Sequence, residues 1–176
     1  NAQDPGRDNW REVIPEAEDV LEDASLVGGK VVAQYMQDAW SVVKSYDLDG
    51  NQVGDVDLPG LGSAYGFSGK VDNPETFFGY ESFDTPDTIY RLDVESGDVS
   101  VFRAPDVAFN PDDYVVEQVF YESKDGTRVP MFIAHKKDVV ADGARPTMLY
   151  GYGGFNISMQ PTFSVTRLAW MDMGGV

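Results

Sequence analysis

The run Thr76-Phe77-Phe78-Gly79-Tyr80-Glu81-Ser82-Phe83 is followed by Asp84-Thr85-Pro86-Asp87, then by Thr88-Ile89-Tyr90-Arg91-Leu92-Asp93-Val94. Glu95-Ser96-Gly97 and Asp98-Val99-Ser100-Val101-Phe102-Arg103 complete the stretch. Aromatic and β-branched residues alternate with polar ones over five to eight residues, the signature of half-buried strands. The clusters of Asp, Pro, Ser and Gly between them are turn formers. The stretch therefore reads as three antiparallel strands joined by tight turns.

The same texture extends upstream. Ala24-Ser25-Leu26-Val27-Gly28 and Lys30-Val31-Val32-Ala33-Gln34-Tyr35-Met36 are short strands around a Gly28-Gly29 turn. Trp40 to Leu48 is another strand, and Asp49-Gly50-Asn51 is a hairpin turn. Gln52 to Leu58 returns, with Val53 and Leu58 as inward positions, until Pro59-Gly60 stops it. Tyr46-Asp47-Leu48 before one turn aligns with Leu92-Asp93-Val94 before the other, 46 residues later. A repeat of about 40–50 residues built from short strands is the period of a β-propeller blade; an ordinary β-meander with coincidental spacing is the competing reading. Two units cannot close a ring, so the first reading also implies a cut N-terminus.

Downstream of the irregular segment Pro105–Pro111 the pattern changes. Tyr114 to Glu122 and Arg128 to Lys136 read as a hairpin around Ser123-Lys124-Asp125-Gly126-Thr127, with Met131, Ile133 and His135 on one face. A polar loop runs to Pro146. Thr147-Met148-Leu149-Tyr150 reads as a short apolar strand that enters the glycine-rich turn Gly151-Tyr152-Gly153-Gly154-Phe155-Asn156. Ser164 to Met171 reads as a short amphipathic helix, and Gly174-Gly175-Val176 as the start of another strand. Open α/β sheets place ligands at such strand ends.

Composition bounds the function. Of 176 residues 42% are apolar and 24% charged, which fits a folded chain rather than a disordered one. The net charge is −17, with 21 Asp and 9 Glu against 7 Arg and 6 Lys. Nucleic acid and anionic membranes both need a basic face, so neither is an expected partner. The charge is uneven: residues 1–105 carry a net of −14 and residues 106–176 a net of −3. No apolar run reaches half of the ~20 residues that span a bilayer. Cysteine is absent, which excludes disulfides and thiolate chemistry. The chain starts with the polar, breaker-rich Asn1-Ala2-Gln3-Asp4-Pro5-Gly6, shows no targeting leader, and ends in what reads as a strand beginning, so both ends are expected to be cuts through a longer protein.

Several motifs fail. Asp47-Leu48-Asp49-Gly50-Asn51 has acids at alternate positions like a calcium loop, but Gln52 holds the glycine position and Leu58 the terminal glutamate position. Gly151-Tyr152-Gly153-Gly154 starts like a dinucleotide fingerprint, but Asn156 holds the last glycine position. The sequon Asn156-Ile157-Ser158 is common by chance. The single histidine, His135, has no metal-ligating neighbours in sequence and no Gly-x-Ser-x-Gly elbow to serve, so it reads as structural. No metal and no cofactor is expected. Without a nucleophile the chain alone cannot run acyl transfer. The Tyr150–Asn156 turn keeps two readings. It is part of an oxyanion hole, with a phenol whose ordinary pKa near 10 keeps it a donor, or it is a tight turn with an aromatic packed over it.

Tyr150-Gly151-Tyr152-Gly153-Gly154-Phe155-Asn156-Ile157-Ser158 resembles the loop of the prolyl oligopeptidases, serine peptidases that cleave after proline in short peptides. Ser123 to Ile133 with His135-Lys136-Lys137 is similar to the strand pair that opens that family's catalytic domain. Ser164 to Leu168 and Met173 to Val176 resemble the family's segment downstream of the loop, and Asp87 to Asp93 the last propeller blade. The resemblance is strongest over 114–176 and faint over 1–60. It implies a mixed fold: the C-terminal blades of a β-propeller over 1–106, then the first strands of an incomplete α/β-hydrolase domain over 107–176.

The resemblance also implies roles. Tyr152 would stabilise the oxyanion, and Phe155 would line the pocket for the substrate proline ring, whose CH₂ faces suit an apolar wall. Relatives specific for basic residues tend to carry Ser-Tyr where this chain has Gly154-Phe155, which favours the prolyl branch. The family's catalytic Ser, Asp and His would lie downstream of Val176. The expected function is therefore a fragment of a serine endopeptidase acting on proline-containing oligopeptides. The chain alone is expected to be inactive, and the full-length parent to be monomeric, soluble, and cytoplasmic or periplasmic. The alternative is a non-catalytic, β-rich acidic module that binds a peptide or a cation; a degraded pseudoenzyme is a third reading.

Overall fold

A computed structural model describes residues 3–140 and 142–176. Asn1 and Ala2 of the breaker-rich start, and Ala141 of the polar loop before Pro146, lie outside the described residues. Two four-stranded antiparallel sheets succeed one another along the chain, each a meander in sequence order. The first holds β1 (Val20–Val27), β2 (Lys30–Gln37), β3 (Trp40–Tyr46) and β4 (Gln52–Asp55). The second holds β5 (Ser63–Gly66), β6 (Glu75–Glu81), β7 (Thr88–Asp93) and β8 (Val99–Arg103). A two-stranded hairpin of β9 (Tyr114–Glu122) and β10 (Arg128–Lys136) and one α-helix, α1 (Val165–Asp172), follow, with single 3-10 turns at Arg7–Asn9 and Pro111–Asp113. No described helix is long and apolar enough to cross a membrane.

Alternation builds the core between the two sheets. On β7, Thr88, Tyr90 and Leu92 are buried while Arg91 is exposed, as period-two geometry requires. Val27, Val32, Val43 and Val56 of the first unit pack with Ala64, Phe67, Phe78, Tyr80, Tyr90, Leu92 and Val94 of the second. An aromatic ladder runs through this layer: Phe67 stacks on Phe78 at 4.6 Å, Phe78 on Tyr90 at 5.4 Å, and Tyr80 meets Tyr90 edge-on at 6.1 Å. Burial pushes the Tyr80 hydroxyl well above its usual range, since the charged form would lose its water.

Polar links fix the sheets against each other. Ser41 is fully buried; its N–H donates to the Gly62 carbonyl at 2.9 Å, and its Oγ accepts from the Ala64 N–H at 2.9 Å. Lys30 Nζ donates to the Val94 carbonyl at 2.6 Å. Gly28 and Gly29 form the β1–β2 turn with φ of 58° and 72°. A Cβ on Gly28 would lie 2.7 Å from the Asn73 carbonyl oxygen and from Val94, so the turn touches the neighbouring sheet there, whereas Gly29 faces open space.

The repeat read from Asp47 and Asp93 has a structural counterpart. Asp93 ends the third strand of its unit, Asp47 directly follows the third strand of its own, and each caps the following turn. Asp47 accepts from the N–H groups of Asp49 and Asn51, both at 2.9 Å, and Asp93 from those of Glu95 and Ser96 at 3.0 and 2.9 Å.

One strand goes unsignalled in the sequence and two expectations fail. β5 carries no strand signal of its own, because Leu61-Gly62-Ser63-Ala64-Tyr65-Gly66 has no apolar alternation and its pairing is set by β6. Val53 was expected inward but is exposed; Val56 takes the buried position after β4 ends, while Leu58 packs partly against the core. The strand expected over Thr147–Tyr150 does not form. A parallel strand needs a lateral partner delivered by a crossover, and only one point of such pairing is present. Val176 N–H donates to the Pro146 carbonyl at 3.0 Å, and Met148 N–H to the Val176 carbonyl at 2.9 Å, the pattern of a parallel bridge centred on Thr147. The α/β-hydrolase portion of the expected fold is accordingly not evident among the described residues. The structure there is a hairpin, a helix and an irregular loop.

Candidate active site

The glycine-rich loop hangs between two anchors. Upstream stands the Thr147–Val176 bridge, itself held by the Trp170 indole N–H donating to the Val176 carbonyl at 3.1 Å. Downstream, residues 160–163 lie against the two sheets. The α1 helix is fixed to the hairpin: Leu168 and Met171 pack with Tyr114, whose hydroxyl donates to Asp172 Oδ1 at 2.6 Å. Lys136 Nζ reaches the same oxygen at 3.0 Å. Desolvation, then the bond to Asp172, raise the Tyr114 hydroxyl to about 12, while the Tyr114 and Lys136 donors hold the Asp172 carboxyl below its usual range.

Within the loop the only backbone hydrogen bond among the described residues runs from Ile157 N–H to the Gly154 carbonyl at 3.1 Å. It closes a turn whose two central residues, Phe155 and Asn156, have φ of 55° and 54°. That is a type I′ arrangement, in which Asn is well tolerated and Phe is not. A side chain with a Cβ costs about 1–2 kcal/mol in this region. The turn projects Phe155 outward with 89% of its surface exposed. Tyr152 is 46% exposed, and no described residue hydrogen-bonds its hydroxyl. Neither aromatic is packed into an interior cluster. The loop thus presents a free phenol donor and an apolar ring three residues apart in sequence, on a backbone held in a disfavoured turn.

His135 stands elsewhere, on β10 opposite Val115, with Nδ1 at 2.7 Å from the Lys136 carbonyl oxygen. Asp47 spends its carboxylate on its own turn. The residues that grip the downstream anchor, Glu22, Ser63 and Glu81, have no distinguishing mark in the sequence. Their partners lie about 80 to 140 positions away in the chain, and no local spacing signals a contact of that range.

Residues 1–105 match the family model for the prolyl oligopeptidase N-terminal beta-propeller domain. The chain belongs to the prolyl oligopeptidase family. The two meanders are therefore propeller blades, and the family is one of serine peptidases. A prolyl endopeptidase of Elizabethkingia miricola is 45% identical over 174 residues, which is 99% of this chain and 24% of that protein. One of Dictyostelium discoideum is 35% identical over 167 residues, 93% of this chain and 22% of that protein. A solved prolyl endopeptidase superposes with a TM-score of 0.87 at 45% identity, over 97% of this chain and 25% of that one. Prolyl oligopeptidase B from Galerina marginata, bound to a 25-residue macrocyclization substrate, gives a TM-score of 0.82 at 33% identity, over 92% of this chain and 23% of that one. The chain spans about a quarter of the length of these relatives. Both similarities to solved prolyl oligopeptidases cover more of the chain than residues 1–105.

Proposed function

We propose that this chain forms part of a serine endopeptidase that hydrolyses prolyl bonds in short peptides. Residues 1–106 act as the last blades of its propeller, and residues 107–176 as the opening of its peptidase domain. The family-model match that ends at residue 105 and the parallel bridge between Thr147 and Val176 support that division. The bridge, with α1 lying in sequence between Thr147 and Val176, has the order of a parallel α/β connection.

The observation that carries the chemistry is the left-handed turn at Phe155–Asn156 beside an unbonded, half-exposed Tyr152. In peptide hydrolysis a serine oxygen attacks the scissile carbonyl, a C–O bond forms, and the carbonyl π pair moves onto oxygen. The Tyr152 hydroxyl, an O–H donor, gives a hydrogen bond to that developing oxyanion. Phe155 supplies an apolar wall for the proline ring, which offers no N–H. The Ser, Asp and His of the reaction come from sequence outside this chain, so residues 1–176 alone are expected not to cleave a proline-containing chromogenic peptide.

The test is Tyr152→Phe in the complete enzyme. The expected fall in kcat is roughly 10²–10³, the usual loss of one oxyanion donor. An unchanged kcat in a folded variant refutes the role.

A further inference from the structure

We propose that Ser63 and Glu81, on the last blade, are positioning residues that set the placement of the Tyr152–Phe155 loop; the inference rests on the function proposed above. The two are direct cross-strand partners at the paired ends of β5 and β6. Ser63 Oγ donates to the Pro161 carbonyl at 2.6 Å, and the Glu81 carboxylate accepts from the Phe163 N–H at 2.8 Å. One short segment is thus held from one edge of one sheet by two bonds of opposite sense. Pro161 itself is fully buried. Its missing N–H leaves one backbone group to satisfy, and Ser63 satisfies it.

The grip extends on both sides. Gln160 Nε2 donates to Glu22 Oε1 at 2.7 Å and lies 3.4 Å from Met36 Sδ, so the first blade holds the segment too. The Arg167 guanidinium sits 5.3 Å from the Phe83 ring centre, two residues beyond Glu81, and Nη2 donates to the Thr162 carbonyl at 2.9 Å. Upstream of Gln160, the loop has no such holds among the described residues. Residues 151–159 make a single internal turn bond and expose both functional aromatics. Where the loop lies is consequently dictated by where its ends are fixed, and the blade fixes the downstream end. Misplacement of a reacting group by about 1 Å can cost on the order of 10²-fold in rate. A blade side chain can therefore act on catalysis without touching substrate. The Glu81 bond is the stronger grip, since an ionised acceptor roughly doubles a hydrogen bond's strength.

The experiment is a double-mutant cycle in the complete enzyme, with steady-state hydrolysis of a proline-containing chromogenic peptide and circular dichroism to establish folding. Glu81→Ala is expected to lower kcat about tenfold by loosening the loop. Glu81→Gln keeps an acceptor oxygen for the Phe163 N–H and is expected to recover most of that loss. On a Tyr152→Phe background, Glu81→Ala is expected to cost less than about threefold more, because the group it positions is already gone. Fully additive losses, or an unchanged kcat for Glu81→Ala, overturn the positioning role while Tyr152 keeps its own. A Tyr152→Phe variant with undiminished kcat overturns both readings. If Glu81→Ala does not fold, Ser63→Ala enters the same cycle and decides it by the same outcomes.

Discussion

The blades and the glycine-rich loop treat their aromatic residues in opposite ways. In the blades Phe78 is 1% exposed and stacked between two other rings, on a strand paired on both sides. In the loop Phe155 is 89% exposed, and Leu149 just before it 84%, with one turn bond across residues 151–159. The blades are stabilised by the burial they achieve. The loop does not bury its apolar side chains, and it holds a phenylalanine where only a small or polar residue sits comfortably. Such disfavoured backbone persists where its surroundings impose it. Here those surroundings are the two anchors, at Thr147 and at 160–163. Under the function proposed above, stability and function are separated in space, and the separation can be measured.

The largest contrast is between the two phenylalanines. Phe78→Ala is expected to destabilise the protein by about 3–5 kcal/mol, the cost of emptying a close-packed aromatic site. Phe155→Ala is expected to stay within about 0.5 kcal/mol of wild type, as exposed substitutions usually do. Urea unfolding of the complete protein reads both. A large loss for Phe155→Ala would mean the loop is packed and the contrast is wrong. Phe155→Gly sharpens it further. Removing the Cβ from a left-handed position should raise stability by as much as about 1 kcal/mol, while hydrolysis of prolyl peptides falls because the apolar wall is lost. Next in size comes the β1–β2 turn. Gly28→Ala places a methyl against Asn73 and Val94, so a loss of more than about 2 kcal/mol is expected, in the range of overpacking. Gly29→Ala meets only the left-handed penalty, about 1 kcal/mol. Equal losses at the two glycines would show that the turn, rather than the meeting of the blades, is the feature Gly28 serves.

The range of each interaction decides how much of the molecule is legible in its sequence. Nearest-neighbour strand pairs with short turns, such as β6–β7–β8 and β9–β10, are written in alternation and turn residues, and their bounds agree with the sequence reading to within two residues. β5 is illegible because Gly62-Ser63-Ala64-Tyr65 carries little alternation. It becomes a strand because Ala64 and Tyr65 pair with Tyr80 and Gly79. The segment Thr147–Tyr150 is legible as apolar, yet apolar character does not make a strand without a partner along its edge. Tyr152 and Phe155 can be named as candidates from the loop's resemblance to the family. The disfavoured turn that displays them, and the grip of Ser63, Glu81 and Glu22 on residues 160–163, cannot. The grip depends on chain segments brought together from afar, the turn on anchors outside it, and neither leaves a periodic trace.

The smallest expected effect concerns acid and again separates blades from loop. The Asp47 carboxyl is held below the usual aspartate range chiefly by the Asn51 side-chain amide, with the backbone N–H groups of the same turn adding to it. Asp93 is held down chiefly by the Ser96 N–H. Both turns join the third strand of a blade to the fourth. A depressed carboxyl pKa contributes stability that is fully present above the unfolded value of about 3.9 and is lost as pH falls through it toward the folded value. The urea midpoint should therefore drop between about pH 5 and pH 3, and the Asp47→Ala/Asp93→Ala double variant should show a shallower drop. At neutral pH the double variant should be the less stable of the two, and on acidification the curves should converge. The loop itself carries no acidic residue from 143 to 171, so any change in its exposure on acidification should come through the Glu22 and Glu81 carboxylates that hold residues 160–163. Parallel curves for wild type and double variant would mean that these carboxylates bond as well in the unfolded chain as in the blades, and that the repeated aspartates mark the turns without holding them.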